Sequence, residues 1–285
     1  MRFNEDQLIN KFKDVKLIVT DIDGTLVNNE GKLGELTTKM VRNLSGRGVL
    51  FTFATQRVFS SVIPFADELG IDIPMITMNG ALISDRKGGI LYKAAVNLKK
   101  IKKAIEFSNK YYLRIALCRP NEIVYTDQNS VIKDFMNRRG AEYLKVDSYD
   151  NYMDNVLELI ISGDNKKSIK KIQSKLNFPL KLHVNAKYFR SRSMKDVHHL
   201  EVLRSHINKK HGLKLLTKHL GIKKHELAVL GDWYNDRQLF DFGGINIALE
   251  NAVPELKNKA NFITSYSNNE DGLGKFLKKA YPDLN

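Results

Sequence analysis

A single cysteine, Cys118, and a single tryptophan, Trp233, occur in 285 residues. One cysteine excludes an internal disulfide and any zinc cluster built on cysteines. No apolar run approaches the ~20 residues needed to span a bilayer. The opening MRFNEDQLINKFKDVK is polar and carries acids, unlike a secretory leader. There is no GxxxxGK[ST] phosphate loop, and Gly272-Leu273-Gly274 lacks the strand and remaining glycine of a dinucleotide fingerprint. Acids are few: 32 Asp+Glu face 46 Lys+Arg, a net charge of +14. The basic residues are spread along the whole sequence, and lysine dominates arginine. No zinc finger, RNA-binding aromatic signature or leucine-zipper heptad accompanies them. The expectation is a soluble, cytoplasmic protein with a lysine-rich surface, no membrane partner and an argument against nucleic acid.

What is present is a globular composition, 42% hydrophobic and 27% charged, long enough for a core plus a second domain. Lys16–Thr20, Val49–Ala54 and Pro74–Met78 read as strands. Glu35–Leu44 and Val58–Leu69 read as helices between them, closed by glycines. This β-α-β-α-β order predicts a parallel sheet covered on both faces. Gly80–Tyr92 reads as a hairpin turning at Arg86–Gly89. The next stretch predicts a helix at Leu98–Tyr111, strands at Leu113–Cys118 and Glu122–Tyr125, and a helix near Ser130–Arg138. A strand at Val156–Ile161, a helix at Lys166–Leu176, and strands near Leu180–Val184 and Tyr188–Arg192 follow. Adjacent strands without helices between them point to antiparallel pairing. After Ser193 the alternation resumes: strand Leu200–Leu203, helix Lys209–Leu220, strands Glu226–Leu230 and Ile245–Leu249, and a last helix Asp271–Lys279. The fold expected is α/β: a discontinuous parallel-sheet core, residues 1–92 and 193–285, interrupted by an α+β unit over 93–192.

Chemistry concentrates at strand ends. Asp21-Ile22-Asp23-Gly24-Thr25-Leu26 follows the first strand directly. Ligands of parallel sheets bind beyond the carboxyl ends of the strands. Two carboxylates there can divide the work of nucleophile and general acid/base, and can hold a hard cation. Gly24 permits the tight turn that aims both at one site.

DIDGTL resembles the first motif of the haloacid-dehalogenase-like hydrolase superfamily. Phe53-Ala54-Thr55-Gln56-Arg57 is similar to its second motif, and Thr77-Met78-Asn79-Gly80-Ala81 to the NGA segment of the Cof-type phosphatases. Ile207-Asn208-Lys209 fits the third-motif lysine, and Gly231-Asp232-Trp233-Tyr234-Asn235-Asp236 the GDxxND fourth motif. Ala248–Ala252 and Asn269–Gly272 are similar to closing segments of the same branch. The resemblance implies a Rossmann-like core with an inserted cap, residues 93–192, that selects substrate. It implies a Mg²⁺-dependent phosphatase acting on small phosphorylated metabolites, sugar phosphates foremost, through an aspartyl-phosphate. Asp21 would be the nucleophile and Asp23 the acid/base. Asp21, the Asp23 carbonyl and Asp232 would ligate Mg²⁺. Thr55 and Lys209 would bind the transferring oxygens, Lys209 as a mobile point charge. Gln56 would offer a backbone N–H, Asn79 and Asn235 would orient substrate, and Asp236 and Arg57 would support the site.

Three positions depart from the pattern: Gln56 and Lys210 stand where glycine is usual, and Trp233-Tyr234 fill a loop that commonly holds small or polar residues. Trp233 is expected to pack against Val27–Leu33 or to narrow the entrance. Arg114, Arg119, Tyr125 and Arg190 are candidates for contact with the leaving group. Two other readings stay open: a phosphomutase of the same superfamily, and a non-catalytic regulator or nucleic-acid-binding protein on the same fold.

Overall fold

The computed structural model describes residues 2–126, 141–178, 182–191, 194 and 196–284. The chain divides into two units. The first comprises Met1–Thr55, Ile63–Leu91 and Asn208–Asn285. The second comprises Gln56–Val62 and Tyr92–Ile207.

In the first unit, α1 (Glu5–Phe12) leads into β1 (Leu17–Thr20), then α2 (Glu35–Gly46), β2 (Leu50–Phe53) and α3 (Ile63–Leu69). A three-stranded sheet follows: β3 (Met75–Thr77), β4 (Leu82–Ser84) and β5 (Ile90–Lys93). All four residues of β1, Leu-Ile-Val-Thr, are buried. A strand covered on both faces has no reason to alternate polar and apolar residues. It takes the interior place in an all-parallel sheet of order β14-β13-β12-β1-β2. Thr20 pairs with Phe53 on one side and with Leu230 on the other. Asp21, Thr55 and Asp232 therefore leave the sheet at one edge.

The second unit runs α4 (Leu98–Lys110), β6 (Arg114–Cys118), β7 (Glu122–Tyr125), β8 (Glu142–Lys145), β9 (Glu158–Gly163), α5 (Lys166–Asn177), β10 (Val184–Arg190) and β11 (His198–Arg204). Its sheet, of order β10-β11-β9-β6-β7-β8, is antiparallel except for the β7–β8 pair. Ile101, Ala104 and Phe107 of α4 and Ile169, Ile172 and Leu176 of α5 form one core with Ile115, Leu159, Ile161 and Leu200 of the strands. By the two-residue alternation of a strand, the opposite sheet face carries Arg114, Tyr125, Ser162, His199 and Glu201.

The chain returns to the first unit with α6 (Lys209–Leu220), β12 (Leu227–Gly231), α7 (Arg237–Phe240), β13 (Ile245–Ala248), α8 (Pro254–Lys259), β14 (Phe262–Ile263) and α9 (Gly272–Ala280). Phe12 on α1 meets Phe276 on α9 edge-on, ring centroids 5.4 Å apart.

Several elements differ from the sequence expectation. Residues 198–204 form an antiparallel strand between β9 and β10, so this unit runs on to Ile207 and does not stop at 192. An apolar strand pattern does not reveal its partner. The two strands expected near 180–184 and 188–192 are one continuous strand from Val184 in the described residues. The region read as one helix over 58–69 is a 3-10 turn, Ser60–Val62, followed by α3. Helix α1 and strand β8 were not anticipated. The helix expected near 130–138 lies outside the described residues. No helix among the described residues is long and apolar enough to cross a membrane.

Candidate active site

The site is built at the carboxyl edge of the parallel sheet. Asp21 follows β1, and its backbone N–H donates to Leu230 O at 3.1 Å, continuing the ladder to the end of β12. Asp232 follows β12 and accepts a 2.9 Å hydrogen bond from the Thr25 hydroxyl. Gly24, at φ +83°, is required twice over. A β-carbon there would lie 2.4 Å from an Asp232 carboxylate oxygen, and the backbone conformation is one that L side chains avoid.

Lys209 opens α6 behind its N-cap Asn208, whose side chain accepts from the His211 N–H at 2.9 Å. The lysine is 1% exposed. Its Nζ donates to Asp236 Oδ1 at 2.7 Å and lies 2.9 Å from Asp21 Oδ1. The other Asp236 oxygen accepts from the backbone N–H groups of Asp232 and Trp233, at 3.2 and 3.1 Å. Asp236 thus holds both the ammonium and the loop that carries Asp232. Lys209 is thus gripped between two carboxylates.

Carboxylate oxygens of Asp21, Asp232 and Asp236 lie within 4.8 Å of one another, all three residues buried. Burial, and then the Asp236 charge, pushes Asp21 up to about 7. Burial, followed by the charges of Asp236 and Asp21, pushes Asp232 up to about 8. Burial pulls Lys209 down, but the two carboxylates beside it more than offset this and keep it firmly charged. Fully ionised, three carboxylates and one ammonium leave a net charge of −2 in a buried place. That surplus and the all-oxygen donor set suit a hard divalent cation.

The second-motif and NGA segments are tied together. Thr55 N–H donates to Ile76 O, and Asn79 N–H donates to Thr55 O, both at 2.9 Å. Met78, Asn79 and Gly80 are all left-handed, at φ 49°, 55° and 91°. Two consecutive non-glycine residues there signal a backbone held against its preference. A β-carbon on Gly80 would meet Asn208 O at 2.4 Å, so this turn packs directly on the start of α6.

The geometry therefore gathers Asp21, Lys209, Asp232 and Asp236, and links Thr55 to Asn79. Asp23 is exposed and lies in the Asp21–Val27 turn, outside the three-carboxylate group. Asn235 is half-buried, and its Oδ1 is buried without a hydrogen-bond partner among the described residues. Gln56 and Arg57 open the segment that groups with the second unit. Trp233 meets Tyr234 edge-on, ring centroids 5.1 Å apart. In the second unit Arg119 is held by Glu122, and by Asp154 at 3.3 Å. Arg190 pairs with His198 on the sheet face of Ala186 and Leu200, opposite Arg114 and Tyr125. Thr25 received no role from the sequence, because its partner lies 207 positions away.

A family model described as haloacid dehalogenase-like hydrolase matches residues 18–277. The chain is 25% identical over 270 residues to YitU of Bacillus subtilis, a 5-amino-6-(5-phospho-D-ribitylamino)uracil phosphatase, covering 93% of this chain and 97% of that one. It is 26% identical over 296 residues to a putative phosphatase of Mycoplasma genitalium, covering 93% and 98%. A haloacid dehalogenase-like hydrolase from Bacteroides thetaiotaomicron has a similar structure, with a TM-score of 0.83 at 23% identity. That match covers 93% of this chain and 99% of the other.

Proposed function

The chain belongs to the haloacid dehalogenase-like hydrolase family, and from that premise we propose that it is a Mg²⁺-dependent phosphatase of small phosphorylated metabolites, sugar phosphates in particular. The observation that carries this reading is the buried group of Asp21, Asp232 and Asp236 with Lys209 clamped inside it. Relatives named as phosphatases support it, among them one named for a phosphoribityl ester. A phosphate ester of a polyol is the same chemical class as a sugar phosphate.

Asp21 and Asp232, together with the backbone carbonyl of Asp23, would hold Mg²⁺, which when bound would supply charge neutralisation for the phosphoryl oxygens and the attacking carboxylate. A carboxylate oxygen of Asp21 attacks phosphorus as the bond to the leaving oxygen breaks, and Asp23 gives that oxygen a proton. The product is an aspartyl-phosphate. Asp23, now a carboxylate, takes a proton from water. The water oxygen attacks phosphorus, the bond to Asp21 breaks, and phosphate departs. Lys209 balances the equatorial oxygens with a charge already in place, so little reorganisation is needed. Thr55, the Gln56 N–H, Asn79 and Asn235 complete the phosphate and substrate contacts, with Arg57 in support. Asp236 positions Lys209. The second unit acts as the cap that selects the leaving group.

The test is a screen of p-nitrophenyl phosphate and phosphorylated metabolites with Mg²⁺. Phosphate release that disappears in Asp21→Asn is the expected result. No turnover over varied divalent metals and a broad panel would overturn the reading. Isomerised sugar phosphate in place of free phosphate would convert it to a phosphomutase.

A further inference from the structure

The turn that carries Asp23 is held from outside by asparagines the reaction does not use. Three backbone N–H groups, of Thr25, Leu26 and Val27, converge on the Ile22 carbonyl at 3.0–3.3 Å. The Gly24 and Val27 carbonyls are satisfied elsewhere. Asn251, in the turn after β13, donates from Nδ2 to Gly24 O at 2.8 Å. Its Oδ1 accepts the Asn268 N–H at 3.0 Å. Asn268, 7% exposed, donates from Nδ2 to Val27 O at 3.0 Å and to Asn29 Oδ1 at 3.2 Å. Asn269 Oδ1 accepts the Asn29 N–H at 2.9 Å. A clasp from two distant segments thus grips the turn immediately after Asp23. Only an amide does this work at position 251, because one end must donate to a carbonyl while the other accepts an N–H.

The gripped peptide is also the one most constrained by the carboxylates. Gly24 lies against Asp232, and the Thr25 hydroxyl is bonded to it. Rotation of the Gly24–Thr25 peptide would move Asp23 on one side and Thr25 on the other. Resting on the phosphatase reading above, we propose that Asn251 and Asn268 are positioning residues that set where Asp23 delivers its proton to the leaving oxygen. Asp21, on the sheet side of the turn, keeps its place through β1.

The substitution that isolates this role is Asn251→Asp, nearly identical in shape. It keeps the acceptor for the Asn268 N–H and sets a second oxygen against the Gly24 carbonyl. An alkyl phosphate needs its leaving oxygen protonated, whereas p-nitrophenolate leaves without help. Misplacing a general acid costs about 10- to 100-fold. With Mg²⁺, kcat/KM, which reports only the steps up to departure of the leaving group and not the later hydrolysis in which Asp23 is the base, should therefore fall about 10-fold or more for an alkyl phosphate. The fall for p-nitrophenyl phosphate should stay within about 3-fold, since little protonation is needed there. Asn268→Asp, which replaces the donor to Val27 O, should show the same split. It serves in place of Asn251→Asp if that variant does not fold. Equal falls for both substrates, or no fall for either, in variants with intact circular dichroism would overturn the assignment and leave the phosphatase reading standing. Wild-type protein inactive on both esters would overturn that reading first.

Discussion

Lys209 is the residue whose loss costs most, because two buried carboxylates lean on its ammonium. Removing one partner of a buried ionic group costs about 3–5 kcal/mol. Lys209→Met should therefore lower the unfolding free energy by that order in chemical denaturation, besides abolishing turnover. Asp232 should behave in the opposite way. Its raised pKa, like that of Asp21, means the folded protein binds more protons than the unfolded chain between the ordinary aspartate value of 3.8 and about 7 to 8. The stabilising contribution is complete below that lower value and is lost as pH rises through the folded values. The thermal midpoint of metal-free protein should fall from pH 5 to pH 8.5, and Mg²⁺ should restore it. Asp232→Asn should flatten the pH slope, raise the metal-free midpoint at high pH and abolish the Mg²⁺ response. A metal-free midpoint that rises with pH would contradict the charge arrangement. At this scale the sequence was readable where a motif places residues side by side, as in Asp21 to Thr25 or Asp232 to Asp236. It was silent on Asn251 and Asn268 as clasps, because their partners lie more than 220 positions away.

Helix α6 shows how an element delivers a residue. Its N-cap Asn208 fixes the first turn, and Gly212 and Gly80 let it approach the NGA turn closely. A methyl at position 80 would collide with backbone and also force an alanine to φ +91°. Gly80→Ala should cost about 1–3 kcal/mol and displace Lys209, read as a drop in kcat larger than the change in KM. Helix α2 shows a different device. Its N-cap, Gly34, has no side chain, and Asp271 supplies the missing acceptor to the Leu36 and Thr37 N–H groups from the far end of the chain. Asp271→Ala should lower stability by about 0.5–2 kcal/mol. A cap borrowed from so far away leaves no local signature, which is why Asn269–Gly272 was recognisable only as a resemblance. The same physics hid the pairing of β11. Its apolar residues announce a strand, but His198–Arg204 could join either sheet until the antiparallel register with β9 and β10 settles the matter.

Across the whole molecule, the positive charge that is scattered in sequence is gathered by the fold. Lys99, Lys100, Lys102, Lys103 and Lys110 lie on α4, and Lys166, Lys167, Lys170, Lys171 and Lys175 on α5, with Glu106 as the single acid. The two helices are neighbours: Lys100 Nζ donates to Leu176 O at 2.9 Å, and Lys103 and Lys175 approach the same Phe107 ring. Burial and the Lys103 charge lower the pKa of Lys100. Lys167→Glu would place an acid in the first turn of α5, which has none, and opposite Lys171 one turn on. That substitution should raise the thermal midpoint at low ionic strength, and the gain should shrink as salt is added. The charge at the carboxylates has a separate purpose: in the reaction proposed above, Asp21 carries the phosphoryl group. The direct measurement is acid quench of the protein during turnover with Mg²⁺, followed by mass spectrometry of its peptides. A phosphoryl adduct on Asp21, absent from Asp21→Asn, is predicted. Undiminished turnover by Asp21→Asn, or an adduct on another residue, would contradict it.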